Sequence, residues 1–266
     1  MAGRLVVCPT PIGNLEDITL RTLSALREAD VVACEDTRRT RVLLDRFGVS
    51  APLVSYHEHN EEARARELVG RMRDGDVVAL VSDAGMPLVS DPGFVLVRET
   101  VAAGLAVEVL PGPSAVITAL VASGLPSPQW RFVGFLPRKG SALGEVLAAP
   151  ETLVAFESPR RLAKSLAAIS PSRQVAVCRE LTKVHEEVVR GTAGELAALY
   201  ADAPPRGEIV LVVGPANDGD KRLGSDAVAA FRDLVAAGAK RRVAASVVAR
   251  LTGASANELY SSRDSR

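Results

Sequence analysis

Five times within the first 110 residues a short, unbroken apolar run gives way to a loop rich in proline, glycine or acid. The runs are Arg4-Leu5-Val6-Val7-Cys8, Val31-Val32-Ala33-Cys34, Leu53-Val54-Ser55-Tyr56, Val77-Val78-Ala79-Leu80-Val81 and Val107-Glu108-Val109-Leu110. Runs apolar at nearly every position, rather than at alternate ones, suit strands covered on both faces. Between them lie helical patterns: Thr19 to Ala29, with Leu20, Leu23 and Leu26 on one side, then about Asn60 to Arg73, Gly93 to Ala103 and Val116 to Ala122. This βαβα alternation predicts a mainly parallel sheet with helices on both faces. The loops after Cys8, Cys34, Val81 and Leu110 then share the carboxyl edge, where such sheets bind ligands.

The second half repeats the grammar on a smaller scale. Leu125-Pro126-Ser127-Pro128 reads as a linker. Phe132 to Leu136, Thr152 to Phe156, Gln174 to Cys178 and Glu208 to Val213 read as strands, and Glu186 to Arg190 as an antiparallel addition. Asn217-Asp218-Gly219-Asp220 marks a further boundary, after which the chain turns helical. Lys240-Arg241-Arg242 opens a helix to about Leu251, Thr252 to Ser255 turns the chain, and Ala256 to Tyr260 begins another helix. That order is helix-turn-helix grammar, equally readable as a helical cap with a solvated basic face. The expected division is 1–125 and 129–216 as two α/β domains, with 223–266 as a small helical module.

Composition narrows the function classes. Lys plus Arg and Asp plus Glu are equal at 32 each, so no global charge argues for nucleic acid or membrane. Aromatics at 4% are too few for a base-stacking platform. Cys8, Cys34 and Cys178 are scattered through apolar runs, reading as buried hydrophobes of a reducing compartment and not as zinc ligands. No run reaches the roughly 18 apolar residues of a membrane helix, and Met1 to Val7 lacks the apolar core of a signal peptide. The expectation is a cytoplasmic protein without a metal.

The stock catalytic signatures are missing: there is no GxGxxG, no GxxxxGK[ST] and no HExxH, and Pro113-Ser114-Ala115 lacks the GxSxG frame. His57 and His59 bracket Glu58, either as a metal pair or as a polar strand end. What remains is a set of loops whose small residues and prolines let main-chain groups approach a ligand closely. The longest is Val81-Ser82-Asp83-Ala84-Gly85-Met86-Pro87-Leu88-Val89-Ser90-Asp91-Pro92-Gly93. Asp83 stands at the strand end, where a ligand's polar groups arrive; Asp91, ahead of Pro92-Gly93 and a helix, reads as an N-cap.

These loops carry a resemblance. Leu5 to Thr19, Glu35-Asp36-Thr37-Arg38, the loop from Val81 to Gly93 and Leu110-Pro111-Gly112-Pro113-Ser114-Ala115 resemble the tetrapyrrole-methylase (class III) S-adenosylmethionine-dependent methyltransferases. Gly134-Phe135-Leu136-Pro137, Phe156 to Leu162 and Arg179-Glu180-Leu181-Thr182-Lys183 are similar to its ribosomal RNA branch, and Val81-Ser82-Asp83-Ala84 departs from the Gly-Gly-Asp-Pro turn of tetrapyrrole-pathway relatives. The resemblance implies two α/β domains of that type with a cofactor cleft between them, a homodimer, and methylation of a cytidine ribose 2′-oxygen in the decoding region of 16S rRNA within the small ribosomal subunit. It implies S-adenosyl-L-methionine contacts from Pro11, from Ser82, Asp83, Ala84 and Gly85, from Ser114 and Ala115, and from Glu157, Ser158 and Leu181. Glu35, Asp36, Glu157 and Glu180 are candidate proton acceptors for the hydroxyl. Arg38, Arg138, Lys139, Arg160, Arg161 and Lys183 are candidate phosphate ligands. Two other readings are a methyltransferase for a tetrapyrrole or another small molecule, and a helix-turn-helix protein whose α/β part senses a ligand. The net charge of +3 over 223–266 is weak for an autonomous DNA reader.

Overall fold

The computed structural model describes residues 3–216, 225–252 and 254–261. The proposed boundary at Asn217 to Asp220, and Gly253 of the expected interhelical turn, lie outside them. The chain divides into two compact units, Met1–Ala122 with Cys178–Glu187, and Ser123–Val177 with Val188–Arg266.

In the first unit the elements alternate as β1 (Arg4–Val7), α1 (Leu20–Glu28), β2 (Val31–Cys34), α2 (Thr37–Arg46), β3 (Leu53–Ser55), α3 (Glu61–Arg73), β4 (Val77–Leu80), α4 (Phe94–Ala102), β5 (Ala106–Val109) and α5 (Ala115–Ser123). The strands form one parallel sheet in the order β3-β2-β4-β1-β5, with Leu5 opposite Val78 and Val107. Strand periodicity divides each apolar run between two cores. Val6, Cys8, Val32, Cys34 and Ala79 pack with Leu23 and Leu26 of α1 and Leu44 of α2. Leu5, Val7, Val31, Ala33 and Val78 pack with Ala65, Leu68 and Met72 of α3 and Leu96 of α4. So β1 and β2 lead onto one face while β4, lying between them, leads onto the other. The chain therefore parts to opposite faces on either side of β4, opening crevices beyond its carboxyl end.

The helix α2 is an element the apolar pattern does not announce, because Thr37-Arg38-Arg39-Thr40-Arg41 is almost wholly polar. It starts because Asp36 caps it, accepting from the Arg38 N–H at 2.8 Å, and it is held by Leu43 and Leu44 on its buried side. The start of α4 corrects an expectation. Its N-cap is Gly93, at φ 141°, with no side-chain cap bond, so Asp91 is not the cap. Pro92-Gly93 separates the Asp91 carboxylate from the first-turn N–H groups it would have to reach.

The second unit continues with β6 (Trp130–Phe135), α6 (Gly140–Leu147), β7 (Thr152–Glu157), α7 (Leu162–Ala167), β8 (Gln174–Arg179), β9 (Glu187–Thr192), α8 (Ala193–Leu199) and β10 (Ile209–Val213). The sheet order is β6-β7-β10-β8-β9, with β6 and β7 parallel and β7 and β10 antiparallel. Leu153, Val175, Val177, Leu211 and Val213 pack with leucines of α6, α7 and α8. A capping box between Thr192 and Glu195 starts α8. Arg173 lies 3% exposed and donates to four carbonyls: Leu147, Ala149, Glu151 and Gly214. The closing helices α9 (Ser225–Ala236), α10 (Arg241–Thr252) and α11 (Ala256–Ser261) share a small core of Ala227, Phe231, Ala244, Ala245, Val248 and Leu259.

Candidate active site

Three loops at the carboxyl edge of the first sheet are tied to one another. Thr10 and Gly85 exchange both main-chain hydrogen bonds at 2.9 Å, and the Thr10 hydroxyl donates to the Ser82 carbonyl at 3.0 Å. Gly85 holds φ 80°, so glycine suits the turn, while a Cβ there would make only ordinary contact with Ile12 Cγ2 at 3.4 Å. Pro11, Ser82, Asp83, Ala84 and Gly85 are thereby gathered. The Pro113 carbonyl stands 3.9 Å from the same Cβ position, and the Ser114 hydroxyl accepts from Ile117 N–H at the start of α5. This brings Ser114 and Ala115 to the same edge.

A fourth segment arrives from far along the chain. The Asn14 N–H donates to Thr182 Oγ1 at 3.0 Å, and a Cβ on Gly13 would sit 2.5 Å from Lys183 Cγ. Leu181 is buried, and Glu180 pairs with Lys183 at 2.9 Å. Among the described residues, the four non-glycine ones at positive φ all belong to these loops of the first unit: Leu88, Ser90, Glu180 and Thr182. Such backbone persists only where its surroundings enforce it, and it concentrates at ligand sites.

Asp83 joins the β2 and β4 loops. It accepts from the Asp36 N–H at 3.1 Å and pairs with Arg39 at 3.2 Å. Asp36 caps α2 and also binds the guanidinium of Arg38, whose hydrogen bonds hold the Asp36 carboxyl below its ordinary value. Two cavities adjoin here. One of about 480 Å³ is lined by Glu35, Asp36, Arg38, Arg39, His57 and Asp83, and one of about 600 Å³ by Glu35, His57, His59, Ser90, Asp91 and Phe94 among others. Glu35 and His57 face both.

The acid the sequence reads as a helix cap is instead a half-buried member of this site. Burial, then the charge of Glu35, push the Asp91 carboxyl up to about 6, with a smaller contribution from Asp83 and against an opposing bond from the Ser82 hydroxyl. Burial and Asp83 likewise raise Glu35. Between about pH 4 and pH 6 the folded protein thus holds a proton on Asp91 that the unfolded chain has released. Stability relative to an Asp91→Asn variant should fall as pH rises through that window and level off above it. Urea midpoints of both proteins across pH 4 to 8 measure this, and a pH-independent difference would refute it. His57 and His59 lie in the turn after β3 with ring centroids 5.9 Å apart, and no group of three or more His, Cys, Asp or Glu among the described residues is arranged to hold a metal.

In the second unit the expected residues take different parts. The Glu157 side chain is fully enclosed, accepting from Ser158 N–H at 2.7 Å and Ser165 Oγ at 2.5 Å, with Arg161 at 3.4 Å. Arg161 also donates to the carbonyls of Leu136 and Pro137. Its guanidinium is therefore spent on the protein, tying the loop after β6 to the loop after β7. Because β6 and β7 run parallel, these loops emerge at one edge, and they carry Arg138, Lys139 and Arg160, all exposed.

Residues 4–197 match the sequence profile of the tetrapyrrole (corrin/porphyrin) methylases. The chain belongs to this methylase family. Within it, the chain is 48% identical to ribosomal RNA small subunit methyltransferase I of Mesorhizobium japonicum, across 96% of the chain and 90% of that protein. Identity to the protein of the same name from Escherichia coli O157:H7 is 43%, covering 97% and 93%. The fold is that of uroporphyrin-III C-methyltransferase from Thermus thermophilus, solved with S-adenyl homocysteine, at TM-score 0.57 and 24% identity over 80% of this chain and 97% of that one. No helix among the described residues is long and apolar enough to cross a membrane.

Proposed function

We propose that the protein transfers a methyl group from S-adenosyl-L-methionine to the ribose 2′-oxygen of a cytidine in 16S rRNA of the small ribosomal subunit, in the cytoplasm and as a homodimer. The observation that carries this is the 48% identity, over nearly the whole chain, to a relative bearing the rRNA methyltransferase name. The tied loops support it: Pro11, Ser82 to Gly85, Ser114, Ala115 and Leu181 offer main-chain donors and acceptors plus one carboxylate, a set that fits a polar nucleoside–amino acid cofactor. Glu157 is the internal brace that shapes the turn presenting Ser158.

When bound, S-adenosylmethionine supplies an electrophilic methyl group, so little covalent help is needed. The protein's task is to hold the hydroxyl in place, an orientation effect that can reach roughly 7 to 11 kcal/mol. Asp36 and Glu180 are the acceptors proposed for the hydroxyl proton; each is already held by a cation, Arg38 and Lys183. Arg138, Lys139 and Arg160 are proposed to hold phosphates.

The test uses labelled S-adenosylmethionine and small subunits from cells lacking the endogenous modification. Label at an alkali-resistant ribose supports the reading, and transfer to a porphyrinoid alone defeats it. Removing residues 223–266 should weaken RNA binding more than cofactor binding, since Lys240, just ahead of α10, and Arg242 and Arg250 within it are exposed. Equal losses would make α9 to α11 a structural cap. Sedimentation equilibrium tests the dimer.

A further inference from the structure

In the second unit a fully enclosed carboxylate and one guanidinium nitrogen meet where two cation-bearing loops leave the sheet. The Glu157 side chain has no exposure, while that of Arg161, four residues on, keeps 28%. Arg161 Nη2 lies 3.4 Å from Glu157 Oε2 and donates to the Leu136 carbonyl at 3.0 Å and the Pro137 carbonyl at 2.8 Å. Glu157 is itself fixed, by Ser158 N–H on one oxygen and the Ser165 hydroxyl on the other. The two anchored carbonyls stand directly ahead of Arg138 and Lys139, which are exposed, as is Arg160. A second device acts on the same loop. The step from Phe132 to Phe135 on β6 is matched by a shorter one, Val154 to Phe156, on β7, and Gly134 within it holds φ 65°. Beyond that bulge Leu136 N–H donates to the Phe156 carbonyl at 3.1 Å. Bulges of this kind re-aim the end of a strand and are frequent beside active sites.

Stability alone does not account for this arrangement. A buried ion pair roughly recovers its own desolvation, and an apolar pair of similar size often serves the core as well. What an apolar pair cannot do is hold peptide oxygens. Here the guanidinium fixes two successive carbonyls, and Glu157 keeps it turned toward them. We propose that Arg161 is a positioning residue for RNA, held by Glu157, which acts through the β6–α6 loop by fixing the direction in which Arg138 and Lys139 leave it. The inference rests on the reading of Arg138, Lys139 and Arg160 as phosphate ligands, and adds what makes the first two effective. Long cations on a loose loop lose conformational freedom when they meet a phosphate, and a loop ordered beforehand loses less. Arg161 thus sets subunit affinity without touching the RNA, its own donors being occupied by the protein.

The experiment measures affinity for small subunits lacking the endogenous modification, by filter retention between about 50 and 200 mM salt. S-adenosylmethionine affinity is measured beside it by calorimetry. Replacing Arg138 and Lys139 together by alanine should flatten the slope of log K against log salt by about 1.4, two single-strand phosphate contacts. Arg161→Lys leaves the net charge unchanged, but its ammonium ends one bond short of Nη2 and cannot hold both carbonyls. It should flatten the slope by about 0.7 or more and weaken subunit binding about fivefold at about 0.1 M salt, with cofactor affinity kept. In the triple variant the losses should not add, because Arg161 acts only through the two cations it aims. Glu157→Gln removes the charge facing Arg161 and keeps an acceptor for Ser158 N–H. It should move the slope in the same direction, and it decides the matter if Arg161→Lys does not fold. An unchanged slope in the Arg161 variant, or losses that add in the triple variant, would overturn the positioning role and leave the phosphate ligands in place. So would a loss of cofactor affinity as large as that of subunit affinity, the mark of a general structural defect. Failure of the unaltered protein to bind subunits, or an unchanged slope without Arg138 and Lys139, would remove the reading of these loops and the inference with it.

Discussion

Arg173→Ala is expected to cost the protein about 3 kcal/mol or more of folding stability, the largest loss anticipated for any single side chain described here. The guanidinium closes the end of α6 by donating to the carbonyls of Leu147 and Ala149, and binds those of Glu151, just before β7, and Gly214, just after β10. At 3% exposure, water cannot readily replace it, so each orphaned carbonyl carries a desolvation penalty of about 1 to 3 kcal/mol, less whatever relaxation recovers. Lysine has one compact ammonium in place of a planar fork, so Arg173→Lys should recover only part of the loss. Urea unfolding decides the matter: a loss below about 1 kcal/mol for the alanine variant would mean that the carbonyls find other partners.

The second large effect is expected at Asp83. Asp83→Ala should weaken S-adenosylmethionine binding about ten- to a hundredfold, in line with the 1.5 to 3 kcal/mol of a hydrogen bond to a charged group. The carboxylate holds the β2 loop against the β4 loop through the Asp36 N–H and Arg39, next to the Thr10–Gly85 bridge. Arg39 is mostly exposed, so its ion pair contributes little, and the weight falls on the bond from Asp36 N–H and on the ligand itself. Asp83→Asn keeps an acceptor for that N–H. It should therefore lose less affinity than alanine if Asp83 acts by holding the loops, and as much if its charge meets the cofactor. Titration calorimetry separates these outcomes, and an unchanged affinity in the alanine variant removes Asp83 from the cofactor loops.

Much of this architecture is written in local pattern. Apolar runs such as Val31 to Cys34 and Val77 to Leu80 became central strands of the parallel sheet, since only a strand covered on both faces needs every position apolar. Once those strands are parallel, the loops after Cys8, Cys34, Val81 and Leu110 must share an edge, which is why Pro11, Ser82 to Gly85 and Ser114 come together as the motifs indicate. Periodicity and turn chemistry are properties of neighbouring residues, and they survive in any chain read from end to end.

Partner choice is not such a property. Asp91 reads as a helix cap beside Pro92-Gly93, yet burial in the folded edge, and then the charge of Glu35 delivered from the β2 loop, make it a proton-holding acid. Arg161 looks like its exposed neighbour Arg160 until the parallel pairing of β6 and β7 brings the Leu136 and Pro137 carbonyls to its guanidinium. Arg173, between a serine and a glutamine, has nothing local to mark it as buried. Cys178 to Glu187 lies deep in the second half of the chain and returns to the first unit, placing Thr182 on Asn14. Local spacing along the chain sets the strands, the turns and the edge where chemistry gathers. Which of Asp83, Arg161 and Arg173 is paired, spent or left available is set by long-range closure, because their deciding hydrogen-bond partners come from residues tens of positions away.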